Sequence, residues 1–537
     1  MPAHSELFAH TSGRWLCNEE IFKKLTYRRF NVEAMEKIAC ATLDAQRCTK
    51  WEKVGEGCSF NKVFLLTFDN DRKAGLRIPN QLVGNVESTT ASEVATMEYA
   101  LYRHESCPTL IKPPKVLRWE SSSQNPTETP FILHEYIEGV TLSSRWRSIE
   151  GDSAGRALIG VFWAEMTLTY DSFAKHGSLY FRDPSDKHES LYAGDKHDEL
   201  SEFSRRYKIG PTADPLWWRG AYGALDTNRG PWPDMKTMIK SAIDLQLMAL
   251  TDIAVLQNPY NHNTTKSDIP VLHRLLDMCT SLLDFITPEA PLVACPTLNH
   301  PDLSFNNFIV PPDGLSMPHG LVDWQGASIQ PYINCVGMPN DVAYDESYFK
   351  LPANREDDVP WPVNFDSMPP DEQEFVTLHR RLALRHKSYI NLTQRFMPDR
   401  FSLWALPHAS ALTNLTQDIL RCIADGPQPL RENLLLFKNN WEYVLKLSSM
   451  ETGLPCPIDF SEAQEVDIQQ KKEKRDAYDR NVAILLEDIN CAEDGWVRNE
   501  RYEQARTRME ELREEWNEEK MGGPFPLYEG AWSSNLV

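Results

Sequence analysis

Apolar residues recur at three- and four-residue steps near the start of the chain. Val32, Met35, Ile38, Ala39 and Leu43 form one stripe, which predicts an amphipathic helix. The rhythm then changes. Residues 62–68 and 74–78 are short β-rich runs joined by Asp69-Asn70-Asp71, and this predicts a hairpin. A helix is predicted over about 92–104, then strands over 114–119 and 130–136, split by the polar loop SSSQNPTE. Up to Tyr136 the order is therefore helix, strands, helix, strands.

Beyond Thr141 the pattern turns mostly helical. Leu158, Val161, Phe162, Met166 and Leu168 mark one amphipathic helix, and the segments PDMKTMIKSAIDLQLMALTDIAVL and PVLHRLLDMCTSLLDFI predict two more. A strand–turn–strand element is expected over 307–310 and 320–323. Helical text resumes near Phe375 and runs to the end. Its last two segments, SEAQEVDIQQKKEKRDAYDRNVAILLEDI and VRNERYEQARTRMEELREEWNEEK, carry Glu and Lys or Arg three or four apart, as solvated helices do.

Composition narrows the class. Of 537 residues, 41% are hydrophobic and 25% charged, a balance that suits a folded globular protein. Asp and Glu total 77 against 56 Lys and Arg, a net charge of −21, which argues against broad binding of a nucleic-acid backbone. The eleven cysteines are scattered, with no CxxC pair and no zinc spacing, so a reducing compartment is expected. No apolar run reaches the ~20 residues of a membrane helix. The first twenty residues hold one Arg and three Glu, unlike an Arg-rich transit peptide.

The chemistry concentrates in LNHPDLSFNNFIVPPDGLSMPHGLVDWQGAS. His300 and Asp302 are followed by Asn307 five residues on, and then by Asp323-Trp324. Phosphoryl transfer from ATP needs a carboxylate to orient the acceptor hydroxyl, oxygen ligands for Mg²⁺ and cations on the phosphates. Asp302 supplies the first, and Asn307 and Asp323 supply hard oxygens for the second. This pattern resembles the Brenner-type motif of the aminoglycoside phosphotransferase and choline kinase superfamily. His300, Asp302 and Asn307 match its catalytic loop, and Asp323 matches its metal-binding Asp, with Trp324 where protein kinases have Phe-Gly.

That resemblance implies an α+β, bilobal protein-kinase-like fold with a small β-rich N-lobe and a large, mostly helical C-lobe. It further implies ATP and Mg²⁺ as cofactors and a small-molecule acceptor as partner. Gly55 and Gly57, in Gly55-Glu56-Gly57-Cys58-Ser59-Phe60-Asn61, would cover the phosphates together with Asn61. Arg77 stands where kinases place the phosphate-reaching lysine, although an Arg is not a neutral replacement for Lys. Glu93 is the first choice for its helix partner and Glu98 the alternative. Glu135 and Ile137 match the hinge that meets adenine.

Gly13-Arg14-Trp15-Leu16, Phe60-Asn61-Lys62-Val63-Phe64, Gly177-Ser178-Leu179-Tyr180-Phe181 and Ile209-Gly210-Pro211-Thr212 resemble phrases of the fungal altered inheritance of mitochondria protein nine family. That likeness implies a mitochondrial association, whereas the amino-terminal composition fits the cytoplasm equally well. Four regions are expected: an extension over 1–50, the nucleotide-binding N-lobe over 51–139, the C-lobe with a helical insertion over 140–460, and a charged helical tail over 461–537. The leading expectation is a Mg-ATP-dependent phosphotransferase acting on a hydroxyl. A catalytically silent nucleotide-binding scaffold is the alternative, supported by Arg77 and the charged tail. A protein kinase is disfavoured by Trp324-Gln325-Gly326 after Asp323. Trp217, Trp218, Tyr222 and Trp232 wall a pocket or pack a loop-rich subdomain.

Overall fold

The computed structural model describes residues 4–54, 60–106, 111–187, 189–194, 201–256, 264–286, 291–313, 317–345, 348–352, 354 and 357–530. Near the amino terminus, β1 (Cys48–Lys53), β2 (Asn61–Phe68), β3 (Lys73–Pro79), β4 (Val116–Glu120) and β5 (Phe131–Glu135) form a five-stranded antiparallel sheet in the order β1-β2-β3-β5-β4. The expected hairpin is β2–β3, in which Val63 faces Arg77. β1 has no counterpart in the sequence-based expectation. Its buried positions, Cys48 and Trp51, are spaced by three and flanked by exposed Thr49 and Lys50, so it lacks the alternation of a strand.

Two helices sandwich this sheet. Helix α1 (Val32–Thr42) is capped by Asn31, whose side chain accepts the N–H of Ala34 at 3.1 Å. Its Val32, Met35 and Ala39 pack with Phe64, Leu66, Leu76, Ile78 and Phe131 on one face. Because side chains alternate along a strand, Arg77 between Leu76 and Ile78 points to the opposite face. There α2 (Val86–Ser106) crosses. It begins six residues before the expected position, because Asn85 accepts the N–H of Ser88 at 3.1 Å and caps an earlier turn.

The chain leaves β5 through 136–139 and enters the helical lobe at β6 (Val140–Thr141). Gly139 has φ +153°, and a Cβ there would lie 2.4 Å from the Val310 carbonyl oxygen, so this crossing admits only glycine without rearrangement. In the second lobe, α3 (Gly151–Leu168) is followed by β7 (Ser178–Phe181) and β8 (Tyr207–Gly210), which pair with each other. Thus two of the phrases noted in the sequence form one antiparallel pair. Helices α4 (Met235–Ala249) and α5 (Ile269–Ile286) then enter the largest apolar core.

Four short strands carry the motif segment. β9 (Pro296–Asn299) pairs with β12 (Ser328–Pro331), and β10 (Phe308–Val310) pairs with both β6 and β11 (Gly320–Leu321). Beyond them α6 (Pro370–Phe396) packs on α3 through Phe162 and Tyr389, whereas α7 (Ala409–Arg421) and α8 (Gln428–Asn439) complete the core with α4 and α5. The fold is therefore α+β, with a sheet-rich amino-terminal lobe and a mostly helical carboxy-terminal one.

The ends of the chain meet. Strand Gly13–Trp15 pairs with Trp496–Arg498, the indole N–H of buried Trp15 donates to Asp494 at 2.7 Å, and the Arg14 guanidinium lies 3.8 Å from the Tyr502 ring centre. Val497 and Arg498 are consequently extended, and the helix expected from 497 starts at Tyr502. No helix among the described residues is long and apolar enough to cross a membrane.

Candidate active site

The loop between β9 and β10 is held from inside by His300, whose ring is buried. Its Nδ1 accepts the N–H of Asp302 at 3.3 Å, so its Nε2 carries the proton and donates to the Val322 carbonyl at 3.1 Å. Burial lowers the His300 pKa and keeps the ring neutral. The indole of Trp324 meets this ring edge-on at 5.0 Å and donates to Leu321 at 2.9 Å. His300 and Trp324 together pin the Asp302 loop to the Asp323 turn.

Asp302 itself is exposed. The Asn307 side-chain amide donates to the Asp302 carboxylate at 2.8 Å and to its backbone carbonyl at 2.9 Å. Two acceptors on the same side fix the orientation of that amide, with Nδ2 inward. No described residue donates to Asn307 Oδ1, which leaves a hard oxygen uncommitted. Asp323 has φ +65°, a left-handed conformation rare for a non-glycine residue, and its side chain is 48% exposed.

Arg77 spans the lobes. Its Nη1 donates to Glu93 at 2.5 Å and its Nη2 to Asp323 at 2.7 Å, with Arg77 and Glu93 both buried. Burial pushes the Glu93 carboxyl up to about 7 against the pull of Arg77. For Asp323, burial acts upward too, but the charge and hydrogen bond of Arg77 outweigh it and hold the carboxyl below its ordinary value. Glu98 lies on another face of α2 and pairs with Arg206.

Asn61 does not stand free at the phosphate loop. It exchanges two amide hydrogen bonds with Gln325, at 2.9 and 3.2 Å, and so ties β2 to the turn after Asp323. Gly55 and Gly57 lie outside the described residues. At the interlobe crossing, the Glu135 carboxylate accepts from Lys112 at 2.8 Å, its N–H is used by the Lys115 carbonyl, and its carbonyl contacts His134 Nδ1 at 2.8 Å. No described residue accepts from the N–H of Ile137.

Asp302 and Asp323 open on one cleft of about 640 Å³. Its lining also includes residues that no local pattern marked: Asp214, Arg219, Gln330, Asn334, Gln417 and Arg421. Trp217 and Trp232 reach its floor but are buried in the main core, their rings 4.8 Å apart. Trp218 faces the chain's own Arg229 at 4.2 Å, and Tyr222 donates to Gln246 at 3.2 Å, so these aromatics chiefly pack the subdomain. A second groove of about 650 Å³ between α3 and α6 contains none of the motif residues.

No protein-family model matches the chain. A subtelomeric hrmA-associated cluster protein of Aspergillus fumigatus is 27% identical over 503 residues, spanning 85% of this chain and 91% of that protein. The mitochondrial altered inheritance of mitochondria protein 9 of Clavispora lusitaniae is 25% identical over 521 residues, 86% of this chain and 82% of that one. The chain is similar to the altered inheritance of mitochondria protein 9 group. Among solved structures, aminoglycoside phosphotransferase APH(4)-Ia has 13% identity and a TM-score of 0.36, covering 77% of this chain and 98% of its own.

The donor set fits magnesium held in company with phosphates. Among the described residues no three His, Cys, Asp or Glu side chains converge on one point, so these residues form no closed metal cage. One carboxylate and one amide oxygen, Asp323 and Asn307, match an ion that takes few protein ligands and keeps water and phosphate oxygens for the rest.

Proposed function

We propose that the chain is an ATP- and Mg²⁺-dependent phosphotransferase acting on a hydroxyl of a small molecule. The reading is carried by the opening of Asp302 and Asp323 on one cleft, with Arg77 reaching Asp323 from the sheet. Asp302 is exposed and held by Asn307, so its carboxylate is positioned to orient the acceptor hydroxyl and take its proton. Asn307 Oδ1 and Asp323 would hold the metal, which when bound offsets the charge on the phosphates. Arg77, steadied by Glu93, would hold the phosphates, with the Gly55 and Gly57 loop above them. His300 acts through the loop and takes no proton, because its ring is buried and both nitrogens are engaged. The open N–H of Ile137, beside Glu135, supports adenine binding at the crossing between lobes.

Asp302→Ala tests this reading. ATP turnover over a panel of hydroxyl-bearing metabolites should be abolished while ATP binding persists, since an exposed side chain is removed. Unchanged turnover in the variant sinks the assignment.

One observation favours the silent scaffold: Arg77 is held by two carboxylates, one of them the metal-binding candidate. A thermal shift with ATP that ignores Mg²⁺, with no turnover on any acceptor, is the outcome that selects it. The four regions set out from the sequence stand as the proposed division. The names of the relatives support a mitochondrial location, which imaging of a fluorescent fusion tests.

A further inference from the structure

The part of the cleft lining beyond Asp302 and Asp323 forms a wall with a definite electrical character. It is formed by the turn Pro215–Trp217 with Arg219 after it, by Gln330 of β12 and Asn334 just beyond it, and by Thr413, Thr416, Gln417 and Arg421 of α7. Its carboxylate, Asp214, is committed to the backbone: it accepts the N–H of Leu216 at 2.9 Å and caps that turn. Asp323 is engaged by Arg77 and Asp302 by Asn307. The wall's own carboxylate is thus spent on the turn, whereas Asp302 keeps its negative charge where the reacting hydroxyl would sit.

The cations differ from each other. Arg421 is matched by Asp425, 2.8 Å from its Nε. Arg219 has no carboxylate within ion-pair distance among the described residues, and its Nε is buried without an acceptor. Its guanidinium lies 5.0 Å from the centre of the Phe60 ring, a weak attraction that supplies no hydrogen bond. Burial lowers the Arg219 pKa to about 10, with Asp214 pulling the other way and Arg421 adding to the depression. A cation taken from water without a counter-charge is costly, and an oxyanion presented to its planar fork relieves that cost.

Resting on the phosphotransferase reading above, we propose that the acceptor carries an oxyanion, a carboxylate or a phosphate, beside its reacting hydroxyl, and that Arg219 binds it. The amide and hydroxyl side chains of Gln330, Asn334, Thr413 and Gln417 suit the remaining polar part of such a molecule. Amines are disfavoured on this wall by Arg219, which has no carboxylate within ion-pair distance among the described residues.

The test uses the full chain saturated with Mg²⁺ and the non-hydrolysable analogue AMP-PNP. Four probes are titrated by calorimetry at low ionic strength: D-gluconate, glycerol 3-phosphate, neutral D-sorbitol and cationic D-glucosamine. At least one anion should bind about tenfold or more tightly than sorbitol, a preference lost in Arg219→Gln and partly kept in Arg219→Lys. Whichever anion binds tells carboxylate from phosphate. AMP-PNP affinity measured on the same samples distinguishes the acceptor from the nucleotide. If Arg219→Gln weakens AMP-PNP and leaves the probes unaffected, Arg219 serves the ATP phosphates and the proposal fails. Equal binding of sorbitol and the anions, or preference for glucosamine, overturns it while leaving the phosphotransferase reading intact. Failure of the wild-type chain to bind AMP-PNP removes both. Circular dichroism of the two variants, if it matches wild type, assigns any loss to the guanidinium and not to misfolding.

Discussion

Above the pH near 7 at which buried Glu93 ionises, replacing it by Gln removes one charge from the centre of the Arg77 cluster. The Arg77 and Glu93 side chains are 9% and 2% exposed, and the pair is closed at 2.5 Å. Breaking such a pair from one side costs ~3–5 kcal/mol, because the surviving charge stays buried. Asp323 remains 2.7 Å from Arg77, but as a half-exposed carboxylate it compensates only in part, so the loss should fall near ~3 kcal/mol. Glu98→Gln is the internal control. Its partner Arg206 is 51% exposed, and the change should cost no more than ~1 kcal/mol. There is a consequence for ligands as well. In Glu93→Gln, Asp323 is the remaining counter-charge of Arg77, so magnesium must draw it from a less compensated cation. Mg-ATP affinity should fall about tenfold, which corresponds to ~1.4 kcal/mol. Chemical denaturation of both variants, with calorimetric titration of ATP with and without Mg²⁺, measures each part. Equal midpoints for the two variants, or an undiminished Mg-ATP affinity in Glu93→Gln, would refute the assignment of Glu93 as the buried anchor of Arg77.

Three further outcomes are expected. Gly75 faces His134 across β3 and β5, and a Cβ there would lie 2.2 Å from the imidazole, so Gly75→Ala should lower stability by ~1–3 kcal/mol in thermal unfolding. His408 is fully buried, neither ring nitrogen has a hydrogen-bond partner among the described residues, and burial lowers its pKa from 6.5 to about 4. Below pH 6.5 the unfolded chain takes up a proton that the folded one refuses. The contribution is thus complete above that pH and is lost as pH falls towards 4, by up to ~3 kcal/mol. Urea midpoints measured across this window should fall less steeply in His408→Leu than in wild type. Finally, Asp494→Ala leaves the buried Trp15 indole N–H without its acceptor at a cost of ~1–3 kcal/mol, and limited proteolysis should then release the charged carboxy-terminal helices sooner.

The clearest readings from sequence were those with a local period. The stripe from Val32 to Leu43 is helix α1, because residues three and four apart share a face whatever surrounds them. The β-rich runs at 62–68 and 74–78 form β2 and β3 because the short polar turn between them pairs neighbours. Asp302, Asn307 and Asp323 stood out because their spacing is set by a short loop and the hairpin after it. β1 was missed since only two of its six side chains are buried and its polar stretch lacks a period of two. The helix expected from 497 was overridden at Val497 and Arg498 by pairing with Gly13–Trp15, almost five hundred residues earlier, which no local pattern encodes, and a 3-10 turn over Asn499–Arg501 leads into it.

The sequence by itself determined the order of strand-rich and helical segments and the residues on which a phosphoryl-transfer reading rests, because both are written in short-range spacing. The class of the fold followed from the resemblance those residues carry. Tertiary structure decided which groups share an environment. It put Glu93 and not Glu98 on Arg77, joined Asn61 to Gln325, and spent Asp214 on a backbone cap. It also brought Arg219 and Arg421 to one wall from positions some two hundred residues apart. Burial and charge pairing depend on distance in space, and for residues this far apart along the chain that distance is set only when the whole core has packed.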